Sequence, residues 1–187
     1  MKIKHLYAIG LRQVYLLRAT PTRFVQVFLW GALEIVLWGF ITRFLSATAG
    51  QGYGFVPALL GAVLLWDYLT RVMQSITSAF FEDVWARNFL NIFGSPLTRA
   101  EYVTGLVCIG TLVSVVSFSV MIALTWLFFG FSAFSFGIAL LPFVVVLYLA
   151  GVALGILGIG IVLRFGPSAE WLIWPIPSIL APFAAVF

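Results

Sequence analysis

Residues 103–129 read VTGLVCIGTLVSVVSFSVMIALTWLFF, twenty-seven positions without a charge. A helix crosses the ~30 Å hydrocarbon core of a bilayer in roughly 20 residues, so this stretch is long and apolar enough to span one. Working outward, four more stretches qualify or nearly qualify: about 24–44, 56–81, 136–163 and 171–187. Of the 187 residues, 63% are hydrophobic and 9% charged, with a mean hydropathy of +1.15. Ordinary soluble domains carry about 25% charged residues. A water-soluble globule of this size could not hide so much apolar surface. A soluble enzyme, a disordered segment and a disulfide-stapled secreted domain are therefore excluded, and the single Cys108 has no internal partner. The expectation is an all-α integral membrane protein, one domain over 1–187.

Charge placement gives an orientation. Lys2, Lys4, Arg12, Arg18, Arg23, Arg87, Arg99 and Arg164, eight of the ten cations, fall on one side of the expected spans. Connections 46–55 and 130–135 on the other side carry no charge. Basic loops stay in the cytoplasm, so the N-terminus is expected there, in a multi-pass protein of the cell (inner) membrane. The net charge of +4 reflects these loops, and no nucleic-acid partner is expected.

Residues 1–23 contain no long apolar core and no cleavage site, so they are not a signal peptide. Ile3, Leu6, Tyr7, Leu11 and Val14 recur at spacings of three and four, with Lys2, His5 and Arg12 on another face. That pattern predicts an amphipathic helix resting on membrane lipids until Pro21 ends it.

The catalytic inventory is thin. His5 is the lone histidine, no His, Cys or carboxylate cluster has metal-ligand spacing, and no phosphate loop is present. The chain is not expected to be an enzyme or to hold a cofactor or metal of its own. Three charged residues fall inside spans: Glu34, Asp67 and Arg71. A charge at mid-bilayer costs about 2.5–3.5 kcal/mol, so these residues should pair, either as a polar element of a translocation path or as an ion pair locking the first two spans. Glu34 and Arg71 are the expected partners, with Asp67 the nearer in sequence. Gly151, Gly155 and Gly158 form a small-residue stripe, and Thr104, Thr111, Ser114 and Thr125 line one side of the third span.

The cytoplasmic stretch 81–101 reads FEDVWARNFLNIFGSPLTRAE. Phe81, Trp85, Phe89 and Ile92 share one helical face; Glu82, Asp83, Arg87 and Asn91 share another. A short helix over about 82–94 follows, with Gly94 and Pro96 ending it and Thr98 with Glu101 capping the next span.

These features together resemble the permease subunits of ABC exporters with the ABC transmembrane type-2 domain. The resemblance rests on the N-terminal helix, on Leu29-Trp30-Gly31-Ala32-Leu33-Glu34 with Leu37-Trp38-Gly39-Phe40, and on Arg87-Asn88, Gly94-Ser95-Pro96-Leu97, Glu101 and Gly105. The segment Trp174-Pro175-Ile176-Pro177 with Pro182-Phe183 looks like that family's fifth span. The resemblance implies that the 82–94 helix couples to a separate ATP-binding subunit, which binds the ATP and Mg. Glu82, Asp83, Trp85, Arg87, Phe89, Asn91, Ser95, Pro96 and Leu97 would make that interface. It further implies a second permease subunit, in a homo- or heterodimer, and export of a lipid-linked glycan, lipid or amphipathic drug. Family members have six spans, so a chain stopping after a proline-broken fifth is read as truncated. A channel or structural membrane subunit without an ATPase is the alternative.

Overall fold

A computed structural model describes residues 3–19, 21–48 and 55–184. Lys2, residues 49–54 and residues 185–187 of the fifth expected span lie outside the described residues, as do the side chains of Lys4, His5, Arg18 and Arg23. The described chain is all-helical: α1 (Ile3–Ala19), α2 (Pro21–Thr48), α3 (Phe55–Trp85), α4 (Phe89–Gly94), α5 (Arg99–Phe129), α6 (Leu140–Phe165) and α7 (Ile176–Leu180). Two 3₁₀ segments, Ala133–Ala139 and Pro167–Leu172, precede α6 and α7. Two helices among the described residues, Arg99–Phe129 and Ala133–Phe165, are long and apolar enough to cross a membrane.

α3 is the central helix, packed against α2, α5 and α6. Its Val72, Met73, Ile76 and Phe80 are buried with Leu106 of α5 and Ile159 of α6. Close approach comes from glycines on the neighbours. A Cβ on Gly155 would lie 3.2 Å from Ile76 and 3.4 Å from the Met73 carbonyl, and one on Gly151 would sit 2.9 Å from the Leu69 carbonyl. The small-residue stripe of α6 is thus its seam with α3. On α2, Gly31 and Gly39 make room for Met121 and Phe129 of α5, while Leu29, Leu33, Leu37, Phe40 and Phe44 face outward.

The helix ends follow local chemistry. Thr98 Oγ1 accepts from the Glu101 N–H at 3.2 Å and the Glu101 carboxylate accepts from the Thr98 N–H at 3.1 Å, the reciprocal cap expected of Thr-x-x-Glu. α5 stops at Gly130, left-handed with φ 65°, whose N–H reaches the Trp126 carbonyl, a conformation glycine adopts without a Cβ penalty.

Three expectations are corrected. The helix over about 82–94 is two pieces: α3 runs on to Trp85, residues 86–88 turn, and α4 is only Phe89–Gly94. Arg87 takes φ 51° there. The fifth expected span, over its described part 171–184, is not one helix but the end of a 3₁₀ segment, a turn and the five-residue α7, because Pro175, Pro177 and Pro182 each remove a ladder donor. The helix α1, expected to rest on lipid, is docked on protein along one side: Ile9 packs on Gly105 and Gln13 is buried, while Tyr7, Leu11 and Tyr15 remain exposed.

Candidate functional site

The polar groups gather at two places, both set by α3. The first is the end where α3 stops and α5 begins. Asp83 has no exposed surface. Its carboxylate accepts from the Arg12 guanidinium of α1 on one oxygen and from the Tyr102 hydroxyl of α5, 2.6 Å away, on the other. Gln13 adds a bond to the Ala79 carbonyl at 3.4 Å. A buried carboxylate with one cationic and one hydroxyl donor is a satisfied one, and here it joins three helices. Beside it, Glu170 on the Pro167–Leu172 segment accepts from the Trp85 indole at 3.1 Å and the Trp174 indole at 3.4 Å. The connection after α6 is therefore tied to the last turn of α3.

The second place is a cleft of about 570 Å³ that runs along α3. Asp67, Thr70, Arg71, Gln74, Ser75, Ser78 and Glu82 line it. Their spacing of three and four puts them on one face of the helix, over about 22 Å at 1.5 Å per residue. α2 contributes Trp30 and Glu34, and the C-terminal segment contributes Trp171 and Trp174. Arg71 donates from Nε and Nη2 to the two Asp67 oxygens, 3.3 Å each. Glu34 adjoins both Asp67 and Arg71. The three expected charges are thus brought together, and Asp67, one turn away on the same helix, accepts two of the guanidinium's bonds.

The expected coupling residues separate into distinct environments. Asp83 is wholly inside and presents nothing to a partner. Glu82 lines the cleft, and Trp85 is half exposed while bonded to Glu170. Phe89 packs at a tilt against Phe80 and stacks on Phe93, with ring centroids 5.5 and 5.9 Å apart, and Ile92 is buried. The apolar side of α4 that faces outward is instead Leu90, 87% exposed, and Phe93, 52%. Arg87, Asn91, Ser95 and Pro96 are exposed around them, and Leu97 is half-buried. Asn91 donates to Asn88 at 2.9 Å and Ser95 to the Ile92 carbonyl at 2.6 Å, so both stiffen the turn. Of the hydroxyls on α5, Thr111 bonds Tyr148 at 2.7 Å, and Ser114 and Thr125 bond their own helix carbonyls.

Sequence reasoning missed Arg12, Gln13 and Tyr102 as partners of the α3 base, and Glu170 with its two indoles. It also passed over Gln74, Ser75 and Ser78. Their spacing from Asp67 to Glu82 was readable as a polar stripe on an otherwise apolar helix.

Compared with models of known protein families, with curated proteins and with solved structures, the chain matches none of them.

Proposed function

We propose that this chain is the membrane-spanning permease subunit of an ATP-driven ABC exporter of the type-2 class, with its N-terminus in the cytoplasm. It forms part of the path for a lipid-linked glycan, lipid or amphipathic drug and draws energy from a separate ATPase subunit that carries ATP and Mg. A second permease subunit completes the path. α2, α3, α5 and α6 serve as four spans, and the broken segment after α6 packs as the start of the fifth element. The observation that carries the reading is α4: a short helix held between two long ones, with Leu90 and Phe93 largely exposed, the Phe89 ring packed on Phe80 of α3 and the Phe93 ring meeting Tyr102 of α5 edge-on. Such a helix passes a push from outside into α3 and α5. Apolar anchors seated in a partner groove are a common docking mode, and aromatic anchors carry much of such an interface's energy.

The test is co-purification with a Walker-motif ATPase from the neighbouring reading frame, whose absence there would favour a channel or structural subunit, together with ATP hydrolysis in liposomes. Leu90→Ala with Phe93→Ala should release the ATPase while leaving the permease in the membrane fraction. Undiminished co-purification and hydrolysis would reduce α4 to an interfacial anchor and refute the docking.

A further inference from the structure

The cleft along α3 has the volume of a small-molecule site, about 570 Å³ where ligand pockets run roughly 300–1,000 Å³. Its electrostatics are lopsided. Among the described residues lining it are three carboxylates, Glu34, Asp67 and Glu82, and one guanidinium, Arg71. Arg71 already donates to both oxygens of Asp67. Beside Arg71 the cleft therefore holds two carboxyl groups around one cation, the buried Asp67 and the exposed Glu34. An anion entering there would meet repulsion, whereas a second positive group would balance the charge.

The aromatic lining points the same way. Trp30 and Glu34 stand one turn apart on α2, so they share a face, and both line the cleft. Trp30 is 61% exposed, so its ring is open to a ligand rather than packed in the core. Trp is the strongest aromatic partner of organic cations. Trp171 and Trp174 supply further ring surface, and Thr70, Gln74, Ser75 and Ser78 supply a wettable floor.

We propose that this cleft is a binding site for an amphipathic organic cation, its positive head held beside Glu34 and Asp67 and its apolar body laid against Trp30. The proposal rests on the permease reading for its meaning as a cargo site. Its chemistry needs neither ATP nor the ATPase, so binding and coupling can fail separately.

The experiment uses the full chain in nanodiscs, with empty nanodiscs subtracted. Tetraphenylphosphonium is the probe and tetraphenylborate, the same shape with opposite charge, is the comparison. Saturable binding of the phosphonium is expected, without competition from the borate. Glu34→Gln should weaken it about tenfold or more, Glu34→Asp should restore most of it, and Trp30→Ala should weaken it several-fold, in line with a cation–π contact. Thermal melting of each variant checks that the fold survives. Equal binding of both ions, or binding unchanged in a folded Glu34→Gln protein, would overturn the proposal. Absence of saturable binding by the parent chain would also overturn it, as expected if a second copy of the chain fills the cleft. Loss of phosphonium binding with ATPase co-purification intact would discard the cation while sparing the permease reading. Binding without any ATPase partner would do the reverse.

Discussion

Arg12 of α1 is ion-paired with Asp83 of α3, seventy-one positions away and without exposed surface. The same carboxylate holds the Tyr102 hydroxyl at 2.6 Å. The N-terminal helix is therefore fastened to the junction of α3 and α5, the junction from which α4 projects. Any movement of that junction carries α1 with it.

Breaking this pair from one side should be worse than removing it. Arg12→Ala leaves a buried carboxylate with the tyrosine alone and should cost about 3 kcal/mol, whereas Arg12→Ala combined with Asp83→Asn should cost less. Denaturant melts of the purified chain in detergent check this. A double variant weaker than Arg12→Ala by the full Asp83→Asn loss would show that the two groups are energetically independent.

The α3–α6 seam makes a second expectation. In a lipid setting, helix association depends on close packing more than on the hydrophobic effect. Gly155→Leu would drive a side chain into Ile76 and the Met73 carbonyl and should cost about 1–3 kcal/mol through overpacking. Gly160→Leu, on the same helix with nothing within 4 Å of its would-be Cβ, should melt like the parent. Equal losses from the two would show that the seam is not where the glycine matters.

The charges along the cleft should couple unequally. A double-mutant cycle between Arg71→Ala and Asp67→Asn should give a coupling above about 1 kcal/mol, larger than the cycle between Arg71→Ala and Glu34→Gln. The direct 3.3 Å bonds run to Asp67. The opposite ranking would place the guanidinium on Glu34.

Helix identity and several helix ends were legible in the sequence. α5 was readable because an uncharged run is bounded by Thr98–Glu101 at its start and Gly130 at its end. The seam glycines of α6 were readable as a stripe. The Arg12–Asp83 bond was not, because nothing local in α1 marks which cation meets a carboxylate on a distant helix. Periodicity assigned the apolar face of α1 to lipid, and Tyr7 and Leu11 do face outward, but the docking of Ile9 and Gln13 is a tertiary fact. The break before α4 was hidden for another reason. Trp85-Ala86-Arg87-Asn88 contains neither glycine nor proline, so the 3.6-residue pattern runs through it unbroken. The backbone nonetheless turns at Arg87, and the apolar residues beyond it swap sides: Ile92 goes inward while Leu90 and Phe93 go out.

The proposed orientation expects a labelling pattern. With the exposed Cys108 replaced by Ser, a cysteine at Ser135 should react with an impermeant thiol reagent on intact cells. A cysteine at Asn91 should react only after permeabilisation. Both positions are exposed, so access to the reagent, not burial, decides the result. The reverse pattern would invert the topology.

Arg87 carries the last expectation, because its side chain and its backbone make separable claims. Its φ of 51° lies in the left-handed region, which costs a non-glycine residue roughly 1 kcal/mol. Its N–H bonds the Val84 carbonyl at 3.1 Å, and the next N–H bonds the Asp83 carbonyl at 3.0 Å. The turn that aims α4 is thus closed on the residue that anchors α1. Arg87→Gly should relieve the strain and leave the fold as stable or slightly more stable, up to about 1 kcal/mol. Arg87→Val, β-branched at positive φ, should destabilise it. Arg87→Glu keeps the strain and reverses an exposed charge, so it should barely move the melt. In the co-purification assay the same variants then separate the two roles. If the guanidinium steers the ATPase, Arg87→Gly and Arg87→Glu both lose binding, with Arg87→Glu the worse, because like charges across an interface repel. If only the turn matters, Arg87→Gly binds like the parent and Arg87→Val does not. A melt in which Arg87→Val equals Arg87→Gly would show that residue 87 does not hold this turn in solution.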